Sequence, residues 1–316
     1  MPQPFVRPDV RLFLDYLNNL PGPKTYQVGP VEARRMILAS RFVADAPTGE
    51  LALIRNLSCP SPAGDIPLRL FDALADRAEA GPLMVYFHGG GFVFGDLDTH
   101  EPICAELARL LDMPVLSVDY RLAPEHPWPA GVEDAMMAAR WAAGSPAELQ
   151  RQVSGLVLAG DSAGGNFAIV TSLALRDEPA AVPVLAQWPI YPASDPATTH
   201  PSKADFGAGY MLTEASMDWF EDCYAADESD WRYAPLVKNQ AGMPPTLVTT
   251  ASLDPIRDQG RAYAAACVAA GVPTIFIEAE GNVHGFVNLR RAIPSSDGDI
   301  ARSVAGLKLL LSGGTK

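Results

Sequence analysis

Apolar and polar positions along this chain fall into two alternating rhythms. Short β-type runs occupy residues 51–57 and 66–71, and apolar runs occupy 82–87, 114–118, 155–159, 184–188, 245–250 and 273–277. Amphipathic stretches separate most of them, for example 101–111, 131–143, 164–175 and 261–270. Apolar strands alternating with amphipathic helices predict a mostly parallel sheet of about eight strands, flanked on both faces by helices. The first two runs lie too close together for a helical crossover, so they are expected to pair antiparallel. In such a sheet the active site lies beyond the carboxyl ends of the strands. The residues just after each run therefore carry most of the functional information.

Two segments break the rhythm. Residues 1–40 read as helical with Pro-Gly punctuation near Pro21, Gly22 and Pro23. Residues 194–233 hold helical pieces, aromatics and prolines between two strands. Together they are expected to form a helical cap over the strand ends of a single domain spanning residues 1–316. An ordinary long crossover is the alternative for the second segment.

Composition narrows the function classes. The chain has 316 residues, 48% of them hydrophobic, enough for a sizeable core. A formal net charge of −13 argues against nucleic acid, whose phosphates need clustered Lys and Arg. The four cysteines, Cys59, Cys104, Cys223 and Cys267, form no C-x-x-C pair and read as small buried thiols. The first residues, interrupted by Pro4, Pro8, Asp9 and Arg11, do not read as a signal peptide. No apolar run is long enough to cross a bilayer, so no membrane partner and a cytoplasmic location are expected.

The chemistry starts at Gly160-Asp161-Ser162-Ala163-Gly164, a G-x-S-x-G turn between an apolar strand and a helix. That context marks a nucleophile elbow, in which flanking glycines let a strained turn close and the helix N-terminus faces a forming anion. A second glycine-rich turn, His88-Gly89-Gly90-Gly91, follows the run 82–87. Glycine backbones approach a substrate closely, and their N–H groups can meet an oxyanion, with Ala163 N–H as the other donor. Neither G-x-G-x-x-G nor a P-loop lysine is present, and no ligand-spaced partner makes His88 a metal site. His88 and Gly89 are expected to shape the loop; no metal or organic cofactor is expected.

A serine nucleophile needs a base and an acid to orient it. Of His88, His100, His126, His200 and His284, only the last two follow Ser162, as the chain order of such sheets requires. His200 sits in a turn-like Thr-Thr-His-Pro-Ser segment. His284 follows the final apolar run and is favoured. Asp254 follows the penultimate run and is the favoured acid; Asp195 also follows a strand and stays a rival. Asp258 is expected in the first turn of the next helix, where an acid suits the dipole.

Taken together, HGGGFVFGDLDTHE, VDYRLAPEHPWPAGVEDA, GDSAGGN, SLDPIRDQG and GNVHGF resemble the hormone-sensitive lipase family of α/β-hydrolases, particularly its bacterial esterases. The likeness runs from about residue 82 to 287, in the family's order. It implies the α/β-hydrolase fold, raises Asp254 over Asp195, and implies Gly90, Gly91 and Ala163 as the N–H donors. It also implies a two-part cap, small-molecule esters with short to medium acyl chains as substrates, and a homodimer in many members. Arg121, Glu125 and His126 are expected to hold their loop together. Trp188 departs from the family's usual aliphatic residue; it either narrows the acyl pocket or packs in the core. Trp188, Phe206 and Tyr210 are the candidate substrate-pocket residues.

The expected activity is thus ester hydrolysis through a Ser162 acyl-enzyme, with His284 as base and Asp254 orienting it. Competing readings are a ligand-binding protein on the same scaffold, against which the intact Ser, His and Asp argue, an amidase, and a lipase. A lipase would need an exposed apolar face, for which residues 206–220 are the candidate stretch.

Overall fold

A computed structural model describes residues 4–313 of the chain; residues 1–3 of the expected N-terminal cap segment lie outside them. Two helices come first, α1 (Pro8–Asn19) and α2 (Pro30–Ala44), each with proline in its first turn. Then follow β1 (Leu53–Cys59), β2 (Ile66–Asp72), β3 (Gly81–Phe87), α3 (Glu101–Leu111), β4 (Val115–Val118) and α4 (Ala130–Ala143). A tight turn at Ser162 joins β5 (Val153–Asp161) to α5 (Ala163–Asp177), and β6 (Val184–Ile190) follows. The interrupting segment carries α6 (Pro201–Phe206) and α7 (Glu214–Tyr224). The chain continues through β7 (Thr246–Leu253), α8 (Arg257–Ala269), β8 (Thr274–Val283) and α9 (Ser296–Gly313).

The eight strands form one sheet in the order β1-β2-β4-β3-β5-β6-β7-β8. β1 pairs antiparallel with β2, as their short spacing predicts, and β2 with β4; the other pairs are parallel. Alternation along β3 shows why its sequence is continuously apolar. Leu83, Val85 and Phe87 face a core built with α4 and α5, while Met84 and Tyr86 face a second core built with α3 and α9. Both sides of the strand are buried, so neither can be polar.

The strands near the site run further than the apolar pattern predicts. β5 ends at Asp161, β6 at Ile190, β7 at Leu253 and β8 at Val283. Backbone pairing carries them on: Asp161 lies opposite Ile190, and Leu253 opposite Val283. Ser162, Asp254 and His284 thus each occupy the first position past a strand end.

α1 buries Val10 and Leu14 against Phe206, Leu253, Val283, Leu289 and Ile293. Arg7 ties its start to Asp299 by two hydrogen bonds of 2.6 and 3.0 Å. α7 meets the glycine loop, where Tyr224 stacks on Phe92 with ring centroids 3.9 Å apart. Of the three polar residues expected to brace the loop after β4, two do so. Arg121 pairs with buried Asp134, and Glu125 with Arg34 of α2. His126 is exposed, and its imidazole makes no hydrogen bond among the described residues, because the chain turns it outward into water.

Candidate active site

Ser162 has φ 56° and ψ −116°, a conformation a non-glycine residue adopts only when its surroundings impose it. They do so through the strand and helix on either side. Ser162 N–H donates to Ile190 O at 2.9 Å, and α5 begins at the next residue. Any side chain at position 164 would overlap the carbonyl oxygen of Phe87, so glycine is required there by close approach.

His284 stands over this turn. Its Nδ1 lies 2.7 Å from Asp254 Oδ2 and its Nε2 2.9 Å from Ser162 Oγ. A carboxylate only accepts, so Nδ1 carries the proton and Nε2 presents a lone pair to the serine hydroxyl. Asp254 is fully buried, and its other oxygen accepts Ile256 N–H at 2.8 Å. The Tyr191 ring packs on the imidazole with centroids 4.5 Å apart. The rival acid and the rival base meet each other instead: His200 Nε2 lies 2.9 Å from Asp195 Oδ2. Asp258 is in the first turn of α8, accepting Ser202 N–H at 3.0 Å.

Beside the serine, Gly90 has φ 124°, and a Cβ there would overlap Phe94 O. The backbone N–H groups of Gly90, Gly91 and Ala163 donate to no protein acceptor among the described residues. Gly90 and Gly91 are half-buried and Ala163 is buried, and free backbone donors grouped in this way have the arrangement of an anion-binding nest. His88 and Gly89 lie behind this nest. His88 stacks on Tyr120 at 4.2 Å and donates from Nδ1 to Gly89 O at 2.8 Å, while Tyr120 OH donates to His88 O at 2.7 Å. Gly89 N–H donates to Asp161 Oδ1 at 2.9 Å. Burial opposes ionisation of Asp161, but the charge of His100 and hydrogen bonds from His100 and Tyr86 outweigh it and hold the carboxyl below its ordinary range.

Burial, reinforced by the charge of His100, pushes His88 down to about 4 from an ordinary 6.5. Between these values the unfolded chain takes up a proton that the folded chain refuses, so this residue makes stability fall as the pH drops through that window. Asp119, pushed up to about 6 mainly by burial, acts in the opposite sense between 3.8 and 6. The informative quantity is therefore a difference. Between neutral pH and pH 4, wild type is expected to lose up to about 3 kcal/mol more stability than His88→Gln. Urea melts at several pH values measure it; parallel slopes would refute it.

A cavity of about 110 Å³, partly open to solvent, is lined by Ser162, Ala163 and Gly91. Met217 and Phe220 of α7, with Leu212 and Ile256, supply apolar wall, and His200, Lys203 and Gln259 a polar one. The three expected pocket residues do not line it. Trp188 is 1% exposed, donates from Nε1 to Thr249 Oγ1 at 2.9 Å, and belongs to the core shared with α3 and α9. Phe206 and Tyr210 pack edge-to-face with each other and contact α1 instead. Each packs against another element of the fold and not on the cavity. Nor is residues 206–220 an exposed apolar face: among its large apolar side chains only Met211 counts as exposed, at 37%.

The sequence reading missed His100, Asp161, and Asn166, whose side-chain amide donates to Ala193 O and Tyr233 O. Their sole signal was membership of the matched stretches DLDTHE and GDSAGGN. Among the described residues no helix is long and apolar enough to cross a membrane, and no three His, Cys, Asp or Glu side chains form a metal cluster. Cys59, Cys104 and Cys267 are buried free thiols; Cys223 is half-buried.

A serine hydrolase on a mostly parallel, helix-covered sheet is the class that this fold and site define. The family model described as alpha/beta hydrolase fold matches residues 84–288. The carboxylic ester hydrolase LipN of Mycobacterium tuberculosis is 42% identical over 75% of this chain and 65% of its own length. Esterase LipI of the same organism is 38% identical over 82% of each chain. The ethyl acetate hydrolase of Pseudomonas putida is 34% identical over 88% of this chain and 89% of its own. Among solved structures, LAE6, an alpha/beta hydrolase enzyme from the metagenome of Lake Arreo, superposes with TM-score 0.92 at 33% identity, covering 99% of both chains. The hyperthermophilic esterase of Pyrobaculum calidifontis gives 0.88 at 32%, covering 98% of this chain and 99% of its own. The chain belongs to the hormone-sensitive lipase family of α/β-hydrolases, and it is a carboxylic ester hydrolase.

Proposed function

We propose that ester hydrolysis proceeds through an acyl-enzyme on Ser162. His284 Nε2 takes the hydroxyl proton as Oγ bonds to the ester carbonyl carbon, and the carbonyl electron pair moves onto oxygen. Gly90, Gly91 and Ala163 N–H groups hold that oxyanion. The oxyanion collapses, the C–O bond to the alcohol breaks, and His284 returns the proton to the leaving oxygen. Water, deprotonated by His284, then attacks the acyl-enzyme and frees the acid and Ser162. Asp254 fixes the ring orientation and balances the imidazolium charge. The observation that carries this reading is the unbroken relay Asp254–His284–Ser162, at 2.7 and 2.9 Å, beside three unpaired N–H donors.

Stopped-flow mixing with p-nitrophenyl acetate tests it. One equivalent of alcohol should appear per chain, and the trapped peptide bearing Ser162 should gain one acetyl mass. Labelling of any other residue would overturn the assignment.

In our reading residues 1–40 and 194–233 together form a cap; α6 and α7 supply cavity wall, and α1 braces Phe206. The cavity, closed on its apolar side by Met217 and Phe220, favours short to medium acyl chains. In an acetate-to-dodecanoate series kcat/KM should peak before decanoate and then fall at least about tenfold. A dodecanoate optimum would argue against it. Four unpaired thiols support a cytoplasmic location. The homodimer rests on the family, with β8 at the sheet edge as a candidate contact; sedimentation velocity measures it.

A further inference from the structure

We infer that His100, acting with the carboxylate of Asp161, is a positioning residue that fixes the oxyanion loop in its working register. The inference rests on the role given above to Gly90 and Gly91.

Thr99 has a single hydroxyl proton, donated to Asp96 O at 3.0 Å. Its oxygen also accepts Asp96 N–H at 2.8 Å, so the contact of 3.0 Å to His100 Nδ1 is a donation from the imidazole. That bond sets the ring's orientation and aims Nε2 at three groups. Asp161 Oδ1 and Gly89 N both lie 3.3 Å away, and the Asn288 side-chain amide 3.0 Å. His100 is 6% exposed and Asp161 3%.

Asp161 would otherwise be a buried anion held by neutral donors alone, Tyr86 OH and Gly89 N–H, each at 2.9 Å. A buried charge so placed needs a partner. Protonated, His100 donates from Nε2 to that carboxylate. Neutral, it accepts Gly89 N–H beside it. In either state the Asp161 carboxylate keeps the Gly89 N–H; the neutral ring adds a second acceptor for it, and the protonated ring fixes the carboxylate that holds it. Contact there is direct, since a Cβ on Gly89 would overlap the Asp161 carboxylate. The next amide along the chain is Gly90 N–H, one of the unpaired donors. His100 is not on the cavity wall, so it acts on the reaction only through the loop.

Two substitutions test this, with rates expressed per chain titrated by the alcohol burst. His100→Leu should lower kcat about 100-fold with KM changed less than about threefold, the expected effect of shifting a donor by about 1 Å. The inhibition constant of a trifluoromethyl ketone, whose hemiketal oxyanion occupies the nest, should rise by a similar factor. His100→Gln, whose amide Nε2–H reaches Asp161, should recover at least about tenfold in both readouts. A purely structural role would lower yield and melting temperature but leave the ketone's affinity per active chain unmoved, and that result overturns the inference. So does a glutamine variant no better than leucine. Should the leucine variant fail to fold, His100→Asn replaces it. Its amide stops at the Nδ1 position, so it should fall about tenfold below glutamine, and equality overturns the inference. Absence of any burst in wild type would instead defeat the acyl-enzyme reading itself, which keeps the two failures distinct.

Discussion

Ser162→Ala is expected to abolish turnover, lowering kcat on p-nitrophenyl acetate by on the order of 10⁵- to 10⁶-fold, the scale known for nucleophile loss in a serine hydrolase. The loss is this large because in the proposed mechanism the hydroxyl oxygen forms the covalent bond to the acyl carbon, and no other side chain can take its place 2.9 Å from His284 Nε2. The cavity wall formed by Leu212, Met217, Phe220 and Ile256 remains in the variant. Substrate affinity should therefore survive, and KM should change little compared with kcat. The fold should survive too, because the turn is held by Ser162 backbone bonds to Ile190, Asn166 and Ala193, none of which involves the hydroxyl. Steady-state assays with circular dichroism and thermal melting check both halves. A variant retaining more than about a hundredth of wild-type turnover would assign the nucleophile elsewhere.

Asp254→Asn should be almost as severe, at about 10⁴-fold in kcat, for a different reason. Asn is nearly isosteric, and its carbonyl oxygen can still accept Ile256 N–H where Oδ1 does now, at 2.8 Å. Its amide nitrogen then faces His284 Nδ1 as a donor. The imidazole must present a lone pair there, so its proton moves to Nε2, the atom that has to accept the Ser162 proton. The charge that balanced the imidazolium is lost as well. The signature is a large fall in kcat and in burst rate with melting temperature shifted little. An unchanged burst rate would show that Asp254 does not orient the base. By contrast, Asp195→Asn should leave the burst rate within about threefold of wild type, because Asp195 pairs with His200 and lies outside the relay.

The elements and the site differ in how far the sequence reveals them. The strands from β2 onward were legible because burial on one or both faces leaves a run of apolar residues; β1, exposed at every second residue, showed only as a β-type run close to β2. Their ends near the site were less legible. Asp161, Ser252, Gly281 and Asn282 lie in or beside paired backbone although their side chains look like loop. The C-terminal helix α9 was not anticipated. Its buried positions Ile300, Val304 and Leu307 follow helical spacing, but small and polar residues between them mute the pattern.

Within the site, Ser162 and the loop at 88–91 were readable from a few consecutive residues, because a strained turn and a close backbone approach demand glycine at fixed offsets. His284 needed chain order as well. Asp254 was favoured by its place after the penultimate strand and raised further by the resemblance, but Asp195 also follows a strand; packing separates them by giving Asp195 its own histidine.

What the sequence determined by itself is the mostly parallel sheet, the strained turn at Ser162 and the glycine loop, each of which imposes a short-range requirement on residue type. Only the tertiary structure decided which histidine each aspartate meets, that Trp188, Phe206 and Tyr210 spend their surface on packing, and that His100 and Asp161 brace the loop from behind. An aromatic or an imidazole obeys the same local rules in a core, a cavity wall or a hydrogen-bond network. Which of these it joins depends on distant segments arriving beside it, and that information is spread over the whole chain.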